Sequence, residues 1–290
     1  MTAAGATPRR SPAKWLTSVA PSRPGELQLV EALGPRGRRR ALVGTAVVAA
    51  AAIGASGWII RRFQRKGQFA PELWRPFRQW AIWRFLLIGL LHTVKAAGVA
   101  FVIALLVGII MALLRCGPRR SQRILAAMYV EGFRACALVL MITFFFFQLS
   151  HWFRGWTLQG YAFVAVIIGL TLYYSTVFAE VVRSAIQSIP QGQTEAGLSI
   201  GLREGQALRL VVLPQALRRA LPNLIAQAAS LLKDTSLGVF VTYDELLNRA
   251  DQVGGFANNK LQSFVVAGAL YISVIALLTT TANHLQRRQA

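Results

Sequence analysis

Lys233 and Asp234 stand side by side in an apolar run, residues 223–241, that holds no other charge. An ionisable side chain at membrane depth is costly to desolvate, which makes it a candidate functional site by default. Adjacent residues point to different sides of a helix, so these two charges do not simply neutralise one another. The run Asp234-Thr235-Ser236 has short oxygen-bearing side chains that can cap a second half-helix, leaving a break in the span beside a pathway. Two readings fit: contact with a polar solute, or a structural break serving only an interface between subunits. Tyr173, Tyr174, Thr143, Ser175 and Ser230 also lie in apolar runs and can line a path, although each is equally at home in ordinary helix packing. Glu180 and Arg183 sit at the end of the run 161–182, where a helix-end salt bridge is the simplest role.

Other chemistry is sparse. His92, His151 and His284 are far apart, and Cys116 and Cys136 form neither a metal-ligand spacing nor a disulfide framework. No catalytic residue, metal site or cofactor is expected. The chain also has no GxxxxGK[ST] run, so it cannot cradle ATP phosphates by that route, and energy for active transport has to come from a partner.

The elements that carry these residues follow from composition. Of 290 residues, 54% are hydrophobic and only 15% charged, which points to a membrane protein. The net charge of +21 can suggest nucleic acid. Its arginines, however, lie in short runs between apolar blocks, as in loops that flank membrane helices, so no nucleic-acid partner is expected. Residues 1–40 are rich in Ala, Pro, Ser and Arg and read as a cytoplasmic flexible tail. Apolar runs at 41–60, 85–114, 124–149, 161–182, 223–241 and 261–285 predict six spans. Residues 61–84, basic and dotted with Trp74, Trp80 and Trp83, read as an interfacial segment after the first span. With the N-terminus inside, the cytoplasmic stretches hold nineteen Lys and Arg against ten on the other side, so both termini and residues 183–221 are expected in the cytoplasm.

One segment outside the spans is too patterned to be a slack loop: "QTEAGLSIGLREGQALRLVVLPQ", residues 193–215. Thr194 can cap a short helix beginning at Glu195, whose charge suits a helix N-terminus. Gly201 allows a sharp turn. Residues 202–212 resume a helical pattern, and Pro214 suits the first turn of a third helical piece. Such an elbow exposes Leu198, Ile200 and Leu202, either to a partner's groove or to lipid headgroups.

Glu195-Ala196-Gly197, three residues, Gly201, nine residues, Val211, one residue, Leu213-Pro214 resembles the Glu-Ala-Ala ("EAA") loop of the membrane subunits of ATP-binding-cassette (ABC) importers. Gly197 stands for the second Ala of that pattern, and Val211 for its Ile. "AEVVRSAIQSIPQGQTEAG", "LPQALRRALPNL" and "SLLKDTSL" resemble the polar amino acid permease branch in particular. The resemblance implies an all-α polytopic fold, a type I importer permease core of five helices, here preceded by one extra helix. The division implied is a tail at 1–40, an extra helix and interfacial segment at 41–84, and a permease domain at 85–290. It also implies that Glu195, Ala196, Gly201, Leu213 and Pro214 form the site that couples to a cytoplasmic ATPase. A second permease subunit, identical or not, an extracytoplasmic solute-binding protein and an amino acid substrate complete the expected partners. One departure stands out: Arg134 to Ala137 read "RACA" where that branch usually has Arg-Gly-Thr-Pro, and losing the proline removes a built-in kink.

The function expected is that of a permease subunit of an importer for polar amino acids in a bacterial inner membrane, with glutamate or a similar amino acid as substrate and no covalent chemistry of its own. An ion-coupled secondary transporter is the alternative, but no repeated halves with matching interrupted helices are visible. A membrane anchor or scaffold with a basic tail is a further one.

Overall fold

The computed structural model describes residues 35–117, 119–153 and 155–287. Most of the basic tail, residues 1–34, and the last three residues lie outside them. Ten α-helices occur among the described residues, and no strand. Two compact units divide between Lys66 and Gly67.

The first unit contributes α1, Pro35–Arg65, whose apolar stretch from Leu42 is long enough to cross a membrane. The Arg62 guanidinium lies over the Trp58 ring at 5.3 Å.

The second unit opens with a short 3₁₀ helix, Pro71–Arg78, with Pro71 at its first turn and Pro76 inside it. The strap around this helix is tied inward by its backbone. The Leu73 carbonyl accepts from the Asn259 side-chain amide at 2.8 Å, and the Gln68 carbonyl accepts from Gln262. Trp74 and Trp80 stay exposed. Then follow α2 (Trp80–Cys116), α3 (Arg120–Ala135), α4 (Leu138–Trp152), α5 (Leu158–Gln187), α6 (Gln191–Ser199), α7 (Glu204–Ala207), α8 (Leu213–Asp234), α9 (Leu246–Phe256) and α10 (Lys260–Arg287).

The centre of the bundle is the α2–α5 pair. Along α2 the buried residues are nearly all small: Ala96, Ala100, Ala104, Gly108 and Ala112 recur about every fourth position on one stripe. Small residues let helix backbones approach closely where no water is available to drive association. Phe178, Leu170 and Val182 of α5 fill the space opposite with fully buried side chains. A second cluster, Leu86, Leu246, Ala250, Val253 and Ala267, joins the start of α2 to α9 and α10.

Among the described residues five helical stretches are long and apolar enough to span, one of them running from α7 through α8 to Val241, and the bent pair α3–α4 makes a sixth when counted as one span. The expected continuous span at 124–149 is therefore corrected. It breaks at Cys136–Ala137, where both residues are extended (ψ 137° and 128°) and the helix axes turn by 96°. The bend needs no proline: RACA turns sharply even though the residue that usually forces a kink is absent. Packing holds the two arms apart, α3 against α2 and α5, α4 against α5 and the 3₁₀ segment after α8. Tyr129 of α3 and Ser175 of α5 share a hydrogen bond of 2.8 Å.

Candidate functional site

The patterned segment forms an elbow. Helix α6 starts at Gln191 with Pro190 as its N-cap, earlier than expected. Thr194 is thus inside the helix and caps nothing, and Glu195 lies mid-helix rather than on its positive end. Glu195 and Ala196 are exposed, and among the described residues no ion pair involves Glu195. The helix ends at a glycine in the left-handed region, Gly201, with φ +86°. The Leu202 N–H donates to the Gly197 carbonyl at 3.2 Å, and the Gly201 N–H to the Leu198 carbonyl at 3.0 Å. Together these bonds form a Schellman motif, which satisfies two of the helix's last carbonyls and reverses the chain.

Beyond the turn, Arg203 donates its N–H to Gln206 Oε1 at 2.9 Å and opens α7. A five-residue π turn, Leu208–Val212, carries α7 into α8, with the Leu213 N–H bonded to the Leu208 carbonyl. Pro214 has no N–H to continue an α-helical ladder, and a widened turn ahead of it absorbs that loss. The expected third helical piece therefore continues the second. Leu213 is half-buried and Pro214 exposed. Gly197 is buried against α7, and a Cβ there would lie 3.1 Å from Ala207 Cβ. Gln215 ties α8 back to α6, donating to Gln193 Oε1 at 3.0 Å. The elbow exposes Ile200 (76%), Leu210 (65%) and Leu198 (40%), whereas Leu202, expected with them, is half-buried. Behind the elbow lies a cavity of about 540 Å³, lined by Arg123, Gln187, Thr194, Glu204 and Leu208 among others.

The helix ends beside this elbow are tied by charge. Arg115 of α2 reaches Glu180 of α5 at 2.9 Å and Glu131 of α3 at 3.7 Å, and Arg183 pairs with the other oxygen of Glu180. Glu180 and Arg183 thus form the helix-end salt bridge read from the sequence. Arg115 and Glu131 extend it across three helices, a link with no signature in the linear order.

At the far end of α8 the structure brings three predicted residues together. The Tyr174 hydroxyl donates to Asp234 Oδ2 at 2.7 Å, and the Tyr173 ring stands edge-on to that of Tyr174 at 5.4 Å. Asp234 closes α8, and the chain tightens into a 3₁₀ helix, Thr235–Val241, ending at Thr242 in the left-handed region (φ 54°). Asp234 makes no cap bond, so the break is a change of helix type rather than a capped restart. Thr235 is buried and Ser236 half-buried, the Thr235 hydroxyl bonding the Leu232 carbonyl at 2.7 Å. Lys233 points to the exposed side, and no ion pair involves it among the described residues. Thr143 lies on α4, its hydroxyl bonded to Val139 of its own helix.

Sequence reasoning missed a polar knot just past this break. Asp244 and Glu245 precede α9, and Glu245 is fully buried. Its carboxyl caps α9, accepting from Leu247 N–H at 2.8 Å and Asn248 N–H at 2.7 Å, and accepts the Tyr271 hydroxyl at 2.7 Å. Burial pushes this carboxyl up to about 7. Arg249 pairs with Asp244 at 2.7 Å and stacks over Phe85 at 4.5 Å. The only linear signal was two acids following an apolar run.

The described residues thus form an all-α core with a change of helix type at the end of α8 and an exposed elbow ahead of its start, the architecture of a membrane-embedded subunit. A family model described as "Binding-protein-dependent transport system inner membrane component" matches residues 47–290, and the chain belongs to this family. It is 34% identical over 223 residues to the glutamate transport system permease protein GluD of Corynebacterium glutamicum, covering 77% of this chain and 81% of that protein. To a probable glutamine ABC transporter permease protein, GlnP of Bacillus subtilis, it is 37% identical over 210 residues, or 71% and 94% of the two chains. Among solved structures, an amino acid ABC transporter crystallised with histidines superposes with a TM-score of 0.63 at 24% identity, over 71% of this chain and 94% of that one, which speaks for the fold alone. The chain is an integral membrane protein, a polar amino acid ABC importer permease of type I fold, and a transport component rather than an enzyme.

Proposed function

We propose that this subunit carries glutamate, or a similar acidic or amide amino acid, into the cell. The observation that carries the transport reading is the α6–α7 elbow: a glycine-turned pair of short helices, exposed and apolar at its tip, in the register of the EAA loop. Glu195, Ala196, Gly201, Leu213 and Pro214 are its coupling residues, and α6 docks in a cleft of a cytoplasmic ABC ATPase. The substrate preference is supported by likeness to the glutamate and glutamine permeases named above. Tyr174 and Asp234, with Tyr173, Thr235, Ser236 and Lys233 close in the chain, are proposed to line the pathway. Thr143 lies on a different helix and completes the candidate set. The permease works as a two-fold dimer, with an identical or a non-identical partner, opening alternately to each side. A solute-binding protein delivers substrate at the end opposite the elbow. Both termini and residues 183–221 face the cytoplasm, residues 1–40 are a basic cytoplasmic segment whose last six residues already belong to α1, and α1 with the interfacial strap precedes the permease core. The test is uptake of labelled L-glutamate by proteoliposomes holding the permease, its ATPase and its binding protein. ATP-dependent accumulation is expected, competed by glutamine or aspartate. Accumulation of other amino acids but not of these would refute the substrate assignment.

A further inference from the structure

Glu245 is a carboxyl with no exposure to solvent that takes no part in the elbow or in the Tyr174–Asp234 pair. Its bonds to Leu247, Asn248 and Tyr271 fasten the head of α9 to α10. The Tyr271 hydroxyl also interacts with Thr93 of α2 and with Thr235. The Thr93 hydroxyl in turn receives the Leu246 N–H at 3.2 Å. Thr235 follows Asp234 in the chain, so the Tyr174–Asp234 pair is joined through the backbone to a residue beside Tyr271, and Tyr271 in turn bonds Glu245 at the head of α9.

The titratable and charged groups around Glu245 come from four directions. Asp244 precedes it, and Arg249 of α9 is turned away to Asp244 and to the Phe85 carbonyl, at 2.7 and 3.0 Å. His92 of α2 places a ring nitrogen 2.9 Å from the Asp244 carbonyl. Tyr243 donates its hydroxyl to the His92 carbonyl at 3.0 Å, and Tyr271 comes from α10. No cation pairs with Glu245 among the described residues.

We propose that Glu245 is a positioning residue for transport: by gaining and losing a proton it sets the junction between the Asp234–Thr235 break and the head of α9, so that uptake answers to pH at the end of the bundle opposite the elbow. This rests on the amino acid importer reading above. The direction follows from linkage. Burial raises the carboxyl from an ordinary 4.5 to about 7, so the closed junction holds a proton more readily than an opened one. Its stability is fully present below pH 4.5 and is lost as pH rises through 7. A state in which α9 loosens and the carboxylate reaches water then gains population on the order of a hundredfold. Loosening also frees Thr235 and hence Asp234, so uptake falls as the junction opens.

Amide hydrogen exchange on the assembled transporter in lipid nanodiscs tests this without any substrate. Protection of Leu247 and Asn248, corrected for the intrinsic pH dependence of exchange, is expected to fall on the order of a hundredfold from pH 5 to 8.5. Glu245→Gln has no proton to lose and is expected to give a flat profile. Tyr271→Phe keeps the carboxyl but deprives the carboxylate of a donor, shifting the midpoint to higher pH. Uptake of labelled L-glutamate over the same range is expected to decline severalfold between pH 6 and 8 in the wild type and to stay level in Glu245→Gln. A flat wild-type protection profile, or the wild-type slope retained in Glu245→Gln, overturns the proposal. If Glu245→Gln fails to assemble, an unshifted midpoint in Tyr271→Phe overturns it instead. Protection that falls as expected while no glutamate enters at any pH supports the junction and counts only against the substrate reading.

Discussion

Gly201 offers the sharpest test of the elbow, because strain there can be separated from bulk. Its φ of +86° lies in a region that side chains with a Cβ avoid, and the Schellman pair of hydrogen bonds depends on it. A Cβ built at this position meets nothing within 4 Å, so an alanine there clashes with no part of the subunit itself. The cost is then conformational, ~1–2 kcal/mol for an ordinary side chain. A loss of that size depletes the bent state about 5- to 30-fold. Asn tolerates the left-handed region better than Ala although it is larger. Uptake by reconstituted transporters is therefore expected to fall in the order Gly201, Gly201→Asn, Gly201→Ala, Gly201→Val, with membrane levels unchanged. Gly201→Val adds a bulky group where the loop is proposed to enter its partner's cleft, and should fail to retain the ATPase on purification or to convert hydrolysis into uptake. Gly205→Val is the control: Gly205 lies in α7, its φ is not positive, and a Cβ there also meets nothing within 4 Å. Wild-type uptake by Gly201→Ala and Gly201→Val would refute the reasoning, as would a Gly201→Asn variant poorer than Gly201→Ala.

Three further outcomes can be checked. A cysteine placed at Gln206 should resist an impermeant thiol reagent in intact cells, and ready labelling there would reverse the topology. Tyr174→Phe strips Asp234 of its 2.7 Å partner, and Lys233→Met removes the neighbouring charge. Both should lower uptake while the ATPase stays bound, and normal uptake by both would remove this junction from the pathway. Glu180→Gln leaves Arg115 and Arg183 without their shared carboxylate, which should lower stability by about 1–3 kcal/mol, read as a drop in Tm in detergent; an unchanged Tm would show that the three-helix tie is idle.

The apolar runs set where the spans fall, since a bilayer admits few other structures, and α2, α5 and α10 overlie the runs expected from 85, 161 and 261 to within a few residues at most ends. The turn at Gly201 was legible for a related reason: backbone freedom belongs to the residue itself. The start of α6 was not: Thr194 offers a capping oxygen and Pro190 offers none, yet the helix begins at Gln191 and leaves Thr194 inside it. Nothing in RACA announces a 96° bend. Cys136 and Ala137 are extended because α3 and α4 each find a separate place to pack. Asp234 stood out in the sequence as a charge in an apolar run, but its partner Tyr174 lies sixty positions away and is supplied by the crossing of α5 and α8. Glu245 is the extreme case. A glutamate after an apolar run is usually a solvated end, and its burial is made by α2, α9 and α10 closing over it. Local chemistry and solvent preference are properties of the chain in order; what a polar side chain faces, and hence whether it is charged, is settled only when distant helices meet.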